Sequence, residues 1–293
     1  MSKDSIVFFG SGPVAAKSLQ LLSKSFSIEA IVTKPSTVQQ MTSTLKDARI
    51  YSVSNKTELD NLITTKPFGS KLAVLIDFGI IVSKAVIDSF PLGIINSHFS
   101  VLPELRGADP ISFAILSGQP KTGVSLMFID EGMDTGKILT AKSLVISPSD
   151  TTPTLTDKLI TLSNNLLGEY IPLYILGEIS PRSQSHPDRA TYSRKLTKED
   201  GLIDWTKPAE VIEREIRAFI EWPKSYTQLA GKDVTITAVR LVKESGTPGS
   251  IGARAKEIII YCGKDALSID KLKPAGKNEM TSEAFLAGHK HLF

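Results

Sequence analysis

The chain has 293 residues, 41% hydrophobic and 22% charged, with 34 basic against 31 acidic side chains and a formal net charge of +3. That is enough apolar material for two ordinary domain cores, and it excludes a disordered, low-complexity or strongly polybasic chain. One cysteine, Cys262, excludes an intrachain disulfide framework and a clustered-cysteine metal centre, and no run approaches the ~20 apolar residues of a membrane-spanning helix.

Met1-Ser2-Lys3-Asp4 leads into an apolar run over 6–9 that lacks the length of a secretory signal core, so a cytoplasmic protein is expected. The first predicted strand covers 5–9; Gly10-Ser11-Gly12-Pro13 then turns the chain into a helix reaching residue 24, a βα unit. Further strands are predicted over 27–33, 71–78, 93–100 and 123–130, several of them nearly continuous apolar runs. Strands buried on both faces read this way, which points to a Rossmann-like, mostly parallel sheet covered by helices. Helices are predicted over 56–65, with Asn55 as cap, over 109–117, with Pro110 at its first position, and over 152–171.

A polar, proline-punctuated stretch over 177–193 reads as a linker. The expected organisation is an α/β domain over 1–178, a linker over 179–205 with its boundary near Trp205, and a second domain over 206–293. The second part opens on a helix over 208–220 and continues in short strands over 234–241, 257–261 and 267–272, separated by glycines, one of which, Gly263, follows Cys262. Such a pattern predicts a small, OB-like β-barrel, a fold that often handles nucleic acid, with Cys262 as a core side chain.

Gly10-Ser11-Gly12-Pro13-Val14-Ala15 also fits the dinucleotide fingerprint, so a nicotinamide-dependent oxidoreductase enters as a reading of a different class. That fingerprint wants an acid at the end of the second strand; this one ends Ile31-Val32-Thr33-Lys34, and Glu29 stands nearer its beginning. The other reading is a tight turn whose backbone N–H groups face a polar substrate.

Chemistry concentrates in 93–107. Asn96 and His98 are two apart at the end of an apolar strand, so alternation puts both on one face. Downstream, Asp130-Glu131-Gly132-Met133-Asp134-Thr135-Gly136 forms an acidic, glycine-flanked loop that can bring Asp134 to the histidine. An amide donor, an imidazole and a carboxylate suit attack by an amine on an acyl group, which develops an oxyanion and sheds a proton from nitrogen. Taken alone, a strand-end histidine is as readily a structural side chain and an Asp in a D-x-G loop a turn former, and periodicity does not choose between these.

The run Asn96-x-His98-x-Ser100-x-Leu102-Pro103-x-x-Arg106-Gly107, followed by the loop ending Asp134-Thr135-Gly136, resembles the signature of folate-dependent formyltransferases. That resemblance implies Asn96, His98 and Asp134 as catalytic residues and 10-formyltetrahydrofolate as the formyl donor, with no metal. It implies that Asn96 holds the formyl oxygen, that His98 assists proton transfer, and that Asp134 orients and polarises His98. The folate would be held by Phe78, Ile80, Ile81 and Val82, by Ser100, Leu102 and Pro103, and by Ile129, Glu131 and Met133. Gly10, Ser11, Gly12 and Arg106 would line the amine-substrate side.

Members of this family formylate glycinamide ribonucleotide, amino sugars or the methionine of initiator tRNA. Thr191-Tyr192, Ile203-Asp204-Trp205, Ile216-Arg217-Ala218-Phe219, Trp222-Pro223 and Lys273-Pro274-Ala275-Gly276-Lys277 resemble the methionyl-tRNA branch. The resemblance implies a translation-initiation enzyme acting as a monomer on methionyl initiator tRNA, without DNA or membrane partners. Arg217, Lys271, Lys273 and Lys277 would contact the tRNA. An amino-sugar formyltransferase and a catalytically silent RNA-binding module are the other readings. One departure stands out: after the second strand the branch usually carries a long, basic, glycine-containing loop, and here residues 36–43 contain no arginine.

Overall fold

The computed structural model describes residues 3–45, 48–229, 231–254 and 256–288, and divides into two compact units. One comprises Met1–Pro110, Lys121–Val145 and Thr156–Ser193; the other comprises Ile111–Pro120, Ile146–Leu155 and Arg194–Phe293.

In chain order the first two-thirds forms β1 (Ser5–Gly10), α1 (Gly12–Ser25), β2 (Ser27–Thr33), α2 (Val38–Thr44), β3 (Arg49–Ser52), α3 (Lys56–Thr65), β4 (Leu72–Ile76), α4 (Lys84–Asp88) and β5 (Ile94–His98). Then follow β6 (Arg106–Gly107), α5 (Pro110–Leu116), β7 (Lys121–Phe128), β8 (Ile138–Val145), α6 (Thr152–Ile175) and β9 (Tyr192–Ser193). Seven strands make one sheet in the order β3-β2-β1-β4-β5-β7-β8. The first five run parallel; β7 and β8 are antiparallel additions at one edge. All five residues of β4 and of β5 are buried at the centre of a covered sheet, which is why β4 reads as an unbroken apolar run, while β5 opens on two isoleucines and ends in the buried polar residues Asn96, Ser97 and His98.

Helix α1 places Ala15, Ala16, Leu19 and Leu22 inward at helical spacing. Asn55 caps α3 by accepting the Glu58 N–H at 3.0 Å, and the Glu58 carboxylate accepts the Ser54 N–H at 2.7 Å. One face of the sheet is packed by Val7, Phe9, Val32, Leu75, Phe78, Phe90 and Ile94. There Phe9 meets Phe78 and Phe90 edge to face, with ring centroids 5.5 and 5.9 Å apart. Each such pair adds ~0.5–1.5 kcal/mol beyond its buried area, which anchors the start of the loop after β4.

In the second unit the chain continues with α7 (Ala209–Ala218), β10 (Ser225–Leu229), β11 (Lys232–Val242), β12 (Ile251–Arg254), β13 (Glu257–Tyr261), β14 (Ala266–Pro274), β15 (Met280–Thr281) and α8 (Ser282–Gly288). The expected small barrel is realised as a six-stranded antiparallel sheet in the order β10-β11-β14-β13-β12, with β15 paired to β14. Ile212 and Ile216 of α7 pack with Val234, Ile236, Ile258, Ile260, Leu267, Ile269 and Phe285. Cys262 is 3% exposed in this core, and burial pushes its thiol up to about 11. Among the described residues no helix is long and apolar enough to cross a membrane.

Candidate active site

Strand β5 carries Asn96 and His98 on one face, while Ser97 points the other way and shares a 2.6 Å hydrogen bond with Ser163. Asn96 and His98 are 8% and 6% exposed. The Asn96 amide makes no side-chain hydrogen bond among the described residues, so its donors and acceptor are available to an incoming group.

His98 Nε2 lies 2.8 Å from the Leu105 carbonyl. A carbonyl only accepts, so Nε2 carries a proton and donates it to Leu105; in the neutral tautomer this leaves Nδ1 as the acceptor. That Nδ1 faces Asp134 Oδ2 at 3.6 Å, and the same Oδ2 accepts the Gly107 N–H at 2.7 Å.

The route by which Asp134 arrives is set by register. β7 runs antiparallel to β5 with Phe128 opposite Ile95 and Ser125 opposite His98, so the chain leaves β7 at the far end of β5 and must fold back to reach the histidine. Within the returning loop Asp130 Oδ1 accepts from the Gly132 N–H and the Thr135 hydroxyl. Gly136 closes it, since any Cβ there would collide with the Phe128 carbonyl.

The loop after β5 is built with equal care. Ser125 donates its hydroxyl to the Ser100 carbonyl at 2.8 Å and accepts the Leu102 N–H at 3.0 Å; Ser100 donates to the Glu104 carbonyl. The Leu102–Pro103 peptide is cis. Gly107, at φ +98, admits no side chain, because a Cβ would stand 2.5 Å from the Ser193 carbonyl.

The stretch read as a linker supplies much of the support. Thr191 accepts the Leu105 N–H through its hydroxyl and the Arg106 N–H through its carbonyl, each at 2.9 Å. Gln184 donates to the Asp134 and Gly136 carbonyls at 2.7 and 3.0 Å, while its own carbonyl accepts from Arg106 Nη2 at 2.7 Å. Sequence reasoning missed Gln184 and Thr191 as site residues, and nothing in their spacing marks them. Arg106 is 6% exposed, and its buried Nε–H has no hydrogen-bond partner among the described residues.

Of the residues expected to hold the folate, Phe78 is 1% exposed in the core, and Ile80, Val82 and Ile129 are part-buried against it. Ile81 and Met133 are exposed at 77% and 65%, and Glu131 is exposed too. Leu102 is buried and Pro103 half-buried in the loop after β5.

The glycine turn lies at the point where the sheet order reverses, between β1 and β4, which is where open α/β sheets take their ligands. Ser11 donates its N–H to the Asp77 carbonyl at 3.0 Å, and its hydroxyl accepts the Lys34 N–H at 3.2 Å. No acid stands at the end of β2; Thr33 bonds Thr37 there, and the Glu29 carboxylate accepts the Gly69 and Ser70 N–H groups at the strand's other end. This is not the ribose-holding arrangement of a nicotinamide enzyme.

Asp77 closes β4 with φ +49 and was missed by sequence reasoning, although an acid ending an apolar run is a visible signal. It keeps solvent access. Desolvation by the surrounding protein, with a smaller push from Asp109, raises its carboxyl above the ordinary 3.8 against the opposing pull of Lys34.

In the second unit the Arg217 guanidinium is engaged by both Glu213 oxygens and by the Asp150 carbonyl. Lys271, Lys273 and Lys277 are exposed on and after β14, with Lys271 3.5 Å from Glu279. Among the described residues no cluster of three or more His, Cys, Asp or Glu is placed to hold a metal.

Compared with known proteins, residues 7–171 match the family model described as "Formyl transferase", and residues 195–290 match "Formyl transferase, C-terminal domain". A methionyl-tRNA formyltransferase of Myxococcus xanthus is 34% identical over 302 residues, spanning 99% of this chain and 96% of the relative. One from Desulfotalea psychrophila is 35% identical over 300 residues, spanning 97% and 93%. Among solved structures, HypX from Aquifex aeolicus in complex with tetrahydrofolic acid aligns with a TM-score of 0.66 at 16% identity, covering 96% of this chain and 46% of that one. WlaRD, a sugar 3N-formyl transferase, aligns at 0.68 and 18%, covering 95% and 100%. At such identities the two solved structures speak for the fold.

Proposed function

The chain belongs to the formyl transferase family, and from that membership we propose that it transfers the formyl group of 10-formyltetrahydrofolate to the amino group of methionyl initiator tRNA, for translation initiation. The observation that carries the chemistry is the buried Asn96–His98–Asp134 group, with an uncommitted amide beside an imidazole whose Nδ1 faces a carboxylate at 3.6 Å. Near-full-length likeness to methionyl-tRNA formyltransferases supports the acceptor over an amino sugar.

The residues present fit the donor. Large apolar side chains are exposed at Ile81 and Met133, on loops flanking the end of β5, where a flat ring system would cover them. Ile80, Val82 and Ile129 would extend that apolar bed, with Phe78 beneath it. Ser100, Leu102, Pro103 and Glu131 would edge the site. The Arg106 Nε–H, buried without an acceptor, suits a carbonyl or anionic oxygen of a bound molecule. When bound, the folate supplies an activated formyl group.

Asn96 donates an N–H to the formyl oxygen as negative charge grows on it. His98 receives through Nδ1 a proton shed by the attacking nitrogen. The resulting imidazolium keeps its Nε2–H on the Leu105 carbonyl and turns its Nδ1–H towards the Asp134 carboxylate, whose negative charge offsets its own. His98 then returns that proton to the nitrogen that leaves the formyl carbon. Asp134 holds the charged ring, and Gly107 fixes Asp134.

The test offers 10-formyltetrahydrofolate with methionyl initiator tRNA, glycinamide ribonucleotide and a nucleotide amino sugar side by side, expecting formylation of the tRNA. In the same assay His98→Ala and Asp134→Asn each lower kcat by roughly 10²–10⁴ without loss of folding, the scale of positioned acid–base and electrostatic groups. Wild-type turnover in His98→Ala would remove the assignment.

A further inference from the structure

An amine attacks only as the free base, yet α-amino groups titrate near ~7.7–8.0 and arrive largely protonated at neutral pH. The acceptor must therefore lose two protons in all, and His98 carries one of them from nitrogen to nitrogen. Something else has to take the first.

The crevice between β1 and β4 holds a group suited to that task. In the parallel register Leu75 pairs with Asn96, so Asp77, two residues on, leaves β4 level with His98 on the neighbouring strand. Its main chain is pinned to the glycine turn by the Ser11 N–H, and its Oδ2 lies 3.8 Å from where a Cβ on Gly12 would stand. No side-chain hydrogen bond of Asp77 occupies it among the described residues.

Charged groups acting on it come from two other segments. Lys34 follows β2, its ammonium 2.7 Å from where a Cβ on Gly79 would stand, and Asp109 precedes α5 two residues after Gly107. A carboxylate with solvent on one side and partial protein cover on the other can take a proton from a substrate and release it outward.

We propose that Asp77 receives the protonated amino group of the acceptor, takes one proton from it, passes that proton to solvent and so delivers a neutral amine to the formyl carbon beside Asn96. This rests on the formyl-transfer reading above. The ledger of the step balances. The ammonium N–H bond breaks as an Asp77 O–H bond forms, and solvent removes that proton. The freed lone pair then makes the new N–C bond, the formyl C–N bond of the donor breaks, and the second amine proton reaches the departing nitrogen through His98.

Asp77→Asn is the diagnostic change. Asparagine tolerates the left-handed backbone at this position, and the Ser11 N–H bond is to the main chain, so the variant keeps the turn. Measured with methionyl initiator tRNA from about pH 6 to about pH 9, its kcat/KM falls about 10- to 100-fold below wild type at the acid end, the scale of a lost charge-assisted hydrogen bond. The deficit shrinks as pH passes the amine pKa, because the acceptor then arrives neutral. A merely structural role would give a deficit of constant size. A pH-independent deficit, or none, in an enzyme whose wild type formylates the tRNA overturns the role of Asp77 alone. A wild type that formylates no acceptor removes the reaction and this inference together.

Discussion

A carboxyl group held above its ordinary pKa is a cost to the fold, and at Asp77 the sign of that cost can be followed through pH. Its folded-state value is raised from 3.8 by desolvation first and by Asp109 second. The folded protein thus binds the proton more tightly than the unfolded chain, and the favourable contribution is fully present below 3.8. It is lost as pH climbs from 3.8 to the raised value, and above that window the fold carries an ionised carboxylate that the protein covers on one side. Asp77→Asn keeps the shape without the charge. Thermal melts should therefore show a higher Tm than wild type at about pH 7, with the gap closing as pH is lowered towards 3.8. A variant less stable than wild type at neutral pH would mean that Asp77 is held by contacts, and the cost argument would fall. A residue that weakens the fold while serving a reaction is the expected trade at an active site. At this scale the sequence was legible where chemistry rides on a strand. Asn96 and His98 converge because residues two apart share a face, a fact of backbone geometry. The acidic, glycine-flanked loop made Asp134 a candidate partner of His98, but only the family resemblance chose that reading over a plain turn former, because no local rule states that a loop leaving an antiparallel strand will turn back along its neighbour.

The loop over 130–136 is an element without regular structure, so its precision has to come from bonds at its ends. Gln184 provides two of them by donating to the Asp134 and Gly136 carbonyls, and it ties both to Arg106. Removing that amide in Gln184→Ala takes the bonds off the Asp134 and Gly136 carbonyls, leaving the Asp134 side chain between the Gly107 N–H and His98, and deprives Arg106 Nη2 of its acceptor. Misplacement by about 1 Å can cost up to about 100-fold in rate, so kcat should drop by roughly 10- to 100-fold, while Tm changes little because Gln184 is only half-buried. Unchanged kcat would show that the loop holds Asp134 without help. The same element explains a limit of pattern reading. Residues 177–193 look like a linker because their side chains are polar and prolines interrupt them. Yet the bonds of Arg182 to Ile138 and of Thr191 to Arg106 are made by main chain, which composition does not report. Strand β8 stayed invisible for a related reason: as an edge strand it keeps only Leu139 buried, so no apolar run announces it.

For the molecule as a whole, a net charge of +3 spread over 34 basic and 31 acidic side chains gives little long-range pull towards a polyanion, so affinity for tRNA has to come from local clusters. The clearest lies along β14, where Leu272 and Pro274 point inward and Lys271 and Lys273 outward, with Lys277 in the turn that follows. Lys271 already faces Glu279, whose carboxyl is lowered first by the nearby Thr237 side chain and further by Lys271 and Lys273. That leaves Lys273 and Lys277 as the cations with most to offer a phosphate. Each lysine–phosphate contact adds roughly 0.7–0.9 to the slope of log affinity against log salt, because it releases a condensed counterion. Lys273→Ala with Lys277→Ala should therefore weaken tRNA binding most at low salt and flatten that slope by about 1.4–1.8. Both side chains are exposed, and Lys273 keeps its backbone pairing with Thr235, so the melting temperature should not move. If the slope is unchanged in the double variant, these lysines are solvated charges without a role in binding, and the phosphate contacts of the second unit must be sought elsewhere on its surface.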